Sequence, residues 1–274
     1  MPKSVDLAKK ILPNHKVKRF LDLNTDLGQT RDLAFFKRTD YALLNHVTSV
    51  SIPCAVHDGD PKELLECIRQ AKRFNCVIGA HIGFPDPARC GYEPMQLSEE
   101  DLTAWIYVQV GAFQAMIRSE ALDIEFIRPH GALYSAFIDN PEVALTVARA
   151  LHRMNSWFVL VGPPGPILTR IEEEVGLRTA PEIYLGKRYT AQGQLSVARI
   201  QDFLPPQGIM DQAKQFIQHG TLTAEDGKSV PIKGKSLHIN PILPNAVDVA
   251  EKVGQLLIQP VSLPLIDINA SGWL

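Results

Sequence analysis

HVTSVSIPCAVHDGDPKELLECIRQAKRFNCVIGAH, residues 46–81, holds one complete strand–helix–strand unit. The β-branched run at 46–52 and the apolar run at 76–81 have the length and composition of strands. Between them Leu64, Leu65, Ile68 and Ala71 share one helical face. A strand, a helix and a second strand in this order are the signature of a parallel sheet. The polar cluster CAVHDGDP, 54–61, falls where the first strand ends. In parallel β/α folds the loops after the strands build the active site, so this cluster marks a functional rim.

The same alternation runs along the chain. Strand-like segments recur at 18–24, 124–129, 157–162 and 235–240, with a shorter one near 176–180. Leu102, Ile106, Val110, Phe113 and Ile117 form a second helical stripe, Ser98 with Asp101 reads as a helix start, and Pro141 suits a first helical turn. Continuous apolar strands imply burial on both faces. Six or seven such units in 274 residues favour an α/β fold of the closed (β/α) barrel type over an open doubly wound sheet. The expected organisation is a single domain over 1–274, with a peripheral lead-in at 1–17 and a peripheral tail at 259–274 that docks on the barrel or on another subunit. The stretch 181–207 has no clean period and reads as a long loop or hairpin over one end of the barrel.

Bulk properties exclude several classes. A net charge of -2 and a pI near 6.4 argue against a nucleic-acid partner. No run approaches the about 18 apolar residues of a membrane span, and the first ten residues lack the apolar centre of a signal peptide, so a cytoplasmic location is expected. Cys54, Cys67, Cys76 and Cys90 form no CxxC pair and read as thiols rather than bridges or a zinc ribbon. GPPGP at 162–166 sits between a strand and a helix, but its prolines lack the backbone donors of a phosphate cradle.

Polar residues gather on the predicted strand ends: Asn24, Asp26 and Gln29 after the first, His57, Asp58 and Asp60 after the second, His81 and Asp86 after the third. Arg128, His130 and Tyr134 follow the fourth, and His238 and Asn240 end the last. Some have structural alternatives: Asp60 before Pro61 is an ordinary N-cap pattern, Asp86 between prolines makes a turn, Asp26 with Gly28 makes an Asx turn, and Tyr134 suits a helix surface. Four of the eight histidines on strand ends nevertheless favour a site. Such a rim has two chemical uses. One is a divalent metal held by Asp26, His57 and His81, which polarises a carbonyl or acidifies water. The other is metal-free acid/base work by Asp26, His57, His81 and His130, with Arg128 stabilising an anionic oxygen or gripping a substrate carboxylate. Spacing does not choose between them.

LDLNTDLGQ, SIPCAVHDGDP, GAHIGFPD, IRPHGALYSAF, FVLVGPPGPIL, KRYTAQGQL and SLHIN line up in order with motifs of the LamB/YcsF family, the A subunits of 5-oxoprolinase, from about Phe20 to about Leu257. The resemblance implies a seven-stranded β/α barrel related to the glycoside hydrolase/deacetylase superfamily. It also implies ATP-dependent opening of the 5-oxoproline (pyroglutamate) lactam to glutamate, with partner B and C subunits. It implicates Asn24, Asp26, His57, Asp60, His81, Asp86, His130, Gly131, Tyr134 and His238. Catalysis is expected from Asp26, His57, His81 and His130, and substrate binding from Asn24, Asp60, Asp86, Arg128, Tyr134, Lys187 and His238. A small-molecule substrate is the expected partner, and homo-oligomer formation is left open.

Departures from the family pattern are Gln29 for an acid, Asp58 for an alanine, Glu93 and Pro94 where a basic pair is common, and Arg128 for a lysine. Gly186 and Lys187 replace an Asp–Arg pair, and Ile239 and Asn240 replace a Gly–Asp pair. Three readings follow: a family member that opens 5-oxoproline, a barrel moved to a related cyclic amide, imide or small carbonyl substrate, and a non-catalytic paralogue that binds a ligand or partner protein.

Overall fold

A computed structural model describes residues 21–29, 40–197, 202–243 and 245–258. The expected lead-in at 1–17 and the tail at 259–274 lie outside the described residues. Seven parallel strands close into a barrel: β1 (Asp22–Asp26), β2 (Ser49–Pro53), β3 (Val77–Ile82), β4 (Phe126–Pro129), β5 (Val159–Gly162), β6 (Arg178–Tyr184) and β9 (Ser236–Ile239), with β9 pairing back onto β1. Helices α1 (Pro61–Arg73), α2 (Glu99–Ser119), α3 (Gly131–Asp139), α4 (Pro141–Met154), α5 (Pro166–Val175), α6 (Pro206–His219) and α7 (Ala246–Ile258) follow the strands. A two-stranded antiparallel hairpin, β7 (Thr221–Thr223) with β8 (Ser229–Pro231), precedes the last barrel strand.

Two segments depart from the expected pattern. Residues Pro181–Tyr184 are not loop: they continue β6, whose expected stretch ends at 180. Pro181 is tolerated inside the ladder because its carbonyl is what pairs, accepting from the Lys235 amide at 2.8 Å. Beyond β6 the chain does turn back on itself, with an antiparallel bridge between Tyr189 and Leu195. Helix α6 and the β7–β8 hairpin had no sequence expectation.

Helix starts follow local chemistry. Asp60 caps α1 by accepting from the amides of Lys62 and Glu63, with Pro61 in the first turn. Ser98 caps α2 through the Asp101 amide and donates its hydroxyl to the Asp101 carboxylate. The apolar stripe of α1 buries Leu64, Cys67, Ile68 and Ala71, and that of α2 buries Leu102, Ile106, Val110, Phe113 and Ile117, both against the strands. Each large side chain among them contributes about 1.5–3 kcal/mol by leaving water. Among the described residues a small apolar plug forms inside the barrel, from Phe126, Val159, Val161 and Ala180.

The remaining interior is polar, and this sets up the site. Along β1, β2 and β9 the inward positions are Asp22, Asn24 and Asp26, then Ser49 and Ser51, then Ser236 and His238, all buried. The register places Asn24 beside both Ser49 and His238, His81 beside Arg128, and Tyr184 beside His238. Asp22 accepts from the hydroxyls of Thr48, Ser49 and Ser236 at 2.6–3.0 Å, while burial raises its pKa. Among the described residues no helix is long and apolar enough to cross a membrane, and none of the four cysteines is in a disulfide.

Candidate active site

Arg128, on β4, reaches across the barrel and joins two carboxylates. Its Nε and Nη2 each donate at 2.8 Å to Glu182 on β6, and its Nη1 donates at 3.1 Å to Asp26 Oδ1 at the end of β1. All three side chains are buried. Burial opposes the guanidinium charge, but Glu182 and Asp26 outweigh it and raise the Arg128 pKa. Burial opposes the Asp26 charge too, yet His81, His238 and Arg128 outweigh it and hold that carboxyl well below the usual carboxylate range. Asp26 is therefore an ionised acceptor in a buried site. Its Asx turn with Gly28 does not form, because the Gly28 amide donates to Asp40 instead.

Four histidines surround this pair. His81 Nε2 lies 3.4 Å from Asp26 Oδ1, and His238 Nε2 lies 3.5 Å from Asp26 Oδ2. Asn24 orients His238: its Oδ1 accepts from His238 Nδ1 at 3.0 Å while its Nδ2 donates to Ser49 at 2.7 Å. His130, at the N-cap of α3, places Nδ1 3.0 Å from His81 Nε2 and 2.8 Å from Gln29 Nε2, and its Nε2 donates to the Cys90 carbonyl at 2.9 Å. His57 stacks on His130, with ring centroids 4.6 Å apart and an interplanar angle of 12°. Burial pushes the pKa of His57 and His81 well below the ordinary imidazole value and that of His130 down to about 4.

Glycine makes this crowding feasible. A Cβ on Gly83 would meet His57 Nδ1 at 2.7 Å, and one on Gly91, whose φ is +75°, would meet His130 Cδ2 at 2.9 Å. The loop after β3 thus closes directly over the imidazoles. Tyr92 on that loop stands edge-on to His130 at 4.8 Å.

A cavity of about 420 Å³ opens at the strand ends, bordered by Asp26, Arg128, His130, Tyr134, Tyr184, Lys187 and Asn240, with Tyr92, Met95 and Phe203 as its apolar wall. Lys187 lies with Nζ 3.1 Å from the Phe203 ring centre, and burial lowers its pKa to about 8. Its cation suits an anionic substituent on a small ligand.

The structure sorts the expected site residues. Asp26, Arg128, His130, Tyr134 and Lys187 border the cavity. His81, His238 and Asn24 stand behind them. His57 is fully buried under Gly83 and Gly91 rather than on the rim, and among the described residues neither ring nitrogen meets a hydrogen-bond partner. Asp60 is exposed and occupied as a helix cap. Asp86 shapes the loop after β3 by accepting from the amides of Arg89 and Glu93. Tyr134 is not at a helix surface: it is buried with its hydroxyl donating to Glu182 at 3.2 Å, and burial together with that carboxylate raises its pKa. Arg128 borders the cavity while its Nε, Nη1 and Nη2 already donate to Glu182 and Asp26.

The expected metal set does not fit. Arg128 Nη1 completes a triangle with Asp26 Oδ1 and His81 Nε2, so a permanent cation already faces both donors. Among the described residues no group of three or more His, Cys, Asp or Glu has metal-holding geometry.

Glu182 and Tyr184 are missing from the expected site because the sequence at 181–207 reads as loop. Period-two spacing in RTAPEIY puts Ala180, Glu182 and Tyr184 on one face, and that is the signal that could have found them. Of the departures, Gln29 contacts His130 and Asn240 donates to the Tyr184 hydroxyl at 2.5 Å. Gly186, with φ of +85°, lies behind the cavity wall, where a Cβ would meet Ile209 at 3.2 Å and Phe203 at 3.3 Å.

Comparison with known proteins adds three findings. The LamB/YcsF family model matches residues 21–262. Curated relatives include 5-oxoprolinase A subunit 3 of Pseudomonas syringae pv. tomato, 30% identical over 243 residues that cover 88% of this chain and 94% of the relative. Another is the 5-oxoprolinase A subunit of Thermus thermophilus, 32% identical over 87% of this chain and 96% of the relative. Among solved structures, a lactam utilization protein, also from Thermus thermophilus, superposes with a TM-score of 0.78 at 31% identity, covering 87% of this chain and 96% of the other.

Proposed function

The chain belongs to the LamB/YcsF family, and from that premise and the geometry at Asp26 we propose that it is a hydrolase of the 5-oxoprolinase A type that opens 5-oxoproline or a closely related cyclic amide. The carrying observation is the buried Asp26 carboxylate, held ionised by Arg128 and its histidine neighbours and bordering the cavity. The names of the relatives and of the lactam utilization protein support the substrate class.

A lactam is a poor electrophile, so ring opening needs a positioned water, a site for negative charge at the carbonyl oxygen and a proton for the departing nitrogen. In this reading Asp26 orients the water and accepts from it. Lys187 binds the carboxylate of the substrate, and the Tyr92 and Tyr184 rings flank its apolar ring. His130 borders the cavity and stands where it can return a proton. ATP, used through partner B and C subunits, supplies the driving force. Gln29 and Asn240, which replace acids of the family pattern on this rim, favour extending the substrate to related cyclic amides.

The test is incubation of the purified chain with 5-oxoproline and ATP, with and without B and C subunits from a relative, following glutamate by mass spectrometry. Glutamate is expected when all three components are present. Its absence, in a parallel assay where the relative's own A subunit succeeds, would overturn the 5-oxoproline assignment and direct the search to other cyclic amides.

A further inference from the structure

Asn240, just past β9, is fixed in one orientation. Its Oδ1 accepts from the Ile242 amide at 3.0 Å, and a backbone amide only donates, so the side-chain oxygen is the atom on that side. Nδ2 therefore faces the Tyr184 hydroxyl and donates to it at 2.5 Å. This bond uses a lone pair of the phenol oxygen and leaves the phenol hydrogen uncommitted: among the described residues the Tyr184 hydroxyl donates to no acceptor.

The group is built to give that hydrogen to a ligand. Burial raises the Tyr184 pKa and keeps the side chain a neutral phenol. Tyr184 ends β6, its amide donates to the Tyr189 hydroxyl at 2.8 Å, and its ring stands edge-on to His238 at 4.6 Å and to Tyr134 at 6.2 Å. Tyr184 and Asn240 border the same cavity as Asp26.

Other polar groups of that border are committed. Arg128 donates to Glu182 and Asp26, the Tyr134 hydroxyl to Glu182, His130 Nε2 to the Cys90 carbonyl and the Ser135 hydroxyl to the Gly131 carbonyl. Tyr92 brings a second phenol, but it is 49% exposed on the loop after β3. We propose that Tyr184 is a catalytic hydrogen-bond donor to the carbonyl oxygen of the bound cyclic amide, and that Asn240 is the positioning residue that keeps its hydrogen for the ligand. A carboxylate at 240, as in the family pattern, only accepts and would draw the phenol hydrogen to itself.

The assignment rests on the lactam reading, which needs a partner for the carbonyl oxygen as negative charge gathers there. The water oxygen bonds to the carbonyl carbon, one water proton passes to Asp26, and the π pair of the carbonyl moves onto its oxygen. Tyr184 stabilises that oxygen and keeps its own proton throughout. The pair then re-forms the C=O bond as the C–N bond breaks, and nitrogen keeps the C–N pair and takes up the proton that water released.

The test uses the full-length chain with 5-oxoproline and with 2-pyrrolidinone, each 13C-labelled at the lactam carbonyl, read by isotope-edited infrared difference spectroscopy without ATP or partner subunits. Thermal unfolding confirms that each variant is folded. The wild-type complex should show its carbonyl band at lower frequency than Tyr184→Phe, Asn240→Asp and the double variant, whose bands should coincide. With ATP and B and C subunits, Tyr184→Phe should lower kcat by about 100-fold to 1,000-fold with a smaller change in KM. The double variant should lose no more than the worse single variant, because both changes remove one donor. If Tyr184→Phe does not fold, the band of Asn240→Asp against wild type decides. An unmoved band in Tyr184→Phe or in Asn240→Asp, a band that moves only in Tyr92→Phe, additive losses in the double variant, or no protein-bound carbonyl band from either probe would overturn the proposal. A lowered band without glutamate formation supports the donor and removes only the hydrolase reading. Glutamate made by Tyr184→Phe at the wild-type rate keeps the hydrolase reading and removes the donor.

Discussion

Arg128 and Glu182 face each other across the interior of the barrel from β4 and β6, and the Arg128 Nε and Nη2 nitrogens each donate to that carboxylate at 2.8 Å. Since Arg128 Nη1 also holds Asp26, the orientation of the Asp26 carboxylate depends on an acid two strands further round the barrel.

Removing Glu182 should therefore be costly. Glu182→Ala leaves a buried guanidinium with half its partners, and loss of one member of a buried pair costs about 3–5 kcal/mol. Urea unfolding measures it. Glu182→Ala combined with Arg128→Met should be less destabilising than the sum of the two changes, because the stranded charge is gone. Additive losses would show that the two residues do not act as a pair.

Asp60 separates capping from catalysis. It is exposed and accepts from Lys62 and Glu63 amides at the start of α1. Asp60→Ala should cost about 1 kcal/mol of stability and leave turnover unchanged, and Asp60→Ser should recover most of the loss. A drop in turnover without a drop in stability would return Asp60 to the substrate-binding residues.

His57 gives the stability a pH dependence of known sign. Burial, then repulsion from His130, lowers its folded pKa well below the ordinary value, whereas the unfolded chain binds a proton near pH ~6.5. Below that pH the unfolded state holds more protons, so stability should fall as pH falls through about 6.5 and downward. Thermal unfolding across pH tests this, and His57→Gln should flatten the slope. An unchanged slope in His57→Gln would mean that other groups set it.

The barrel was legible in the sequence because strand-length apolar runs alternate with helix stripes of regular period. Leu64 with Ile68 and Leu102 with Ile106 announce their helices without help from the tertiary fold. The rim was legible through Asp26, His81 and His130, which stand at or just past strand ends. The polar interior was harder to see. Asp22, Asn24 and Asp26 alternate with Leu23 and Thr25, and Ser236 and His238 with Leu237 and Ile239, a two-residue period that marks a polar lumen. Glu182 is hidden by Pro181, which reads as a strand breaker unless the partner strand is known to need only its carbonyl. His57 reads as a rim residue because sequence does not show that Gly83 and Gly91 let a loop close over it. The expected metal fails for a similar reason: which cation faces Asp26 depends on the span from β1 to β4 across the lumen.

The most direct measurement compares Asp26→Asn with wild type for glutamate production from 5-oxoproline and ATP in the presence of B and C subunits, with thermal unfolding to confirm that both are folded. Asparagine keeps the shape and the contact position toward Arg128 but removes the charge that orients and deprotonates water. The predicted result is a folded variant whose turnover falls by about 100-fold to 10,000-fold. A folded Asp26→Asn that makes glutamate at the wild-type rate would contradict the central claim that the buried Asp26 carboxylate is the base of this site.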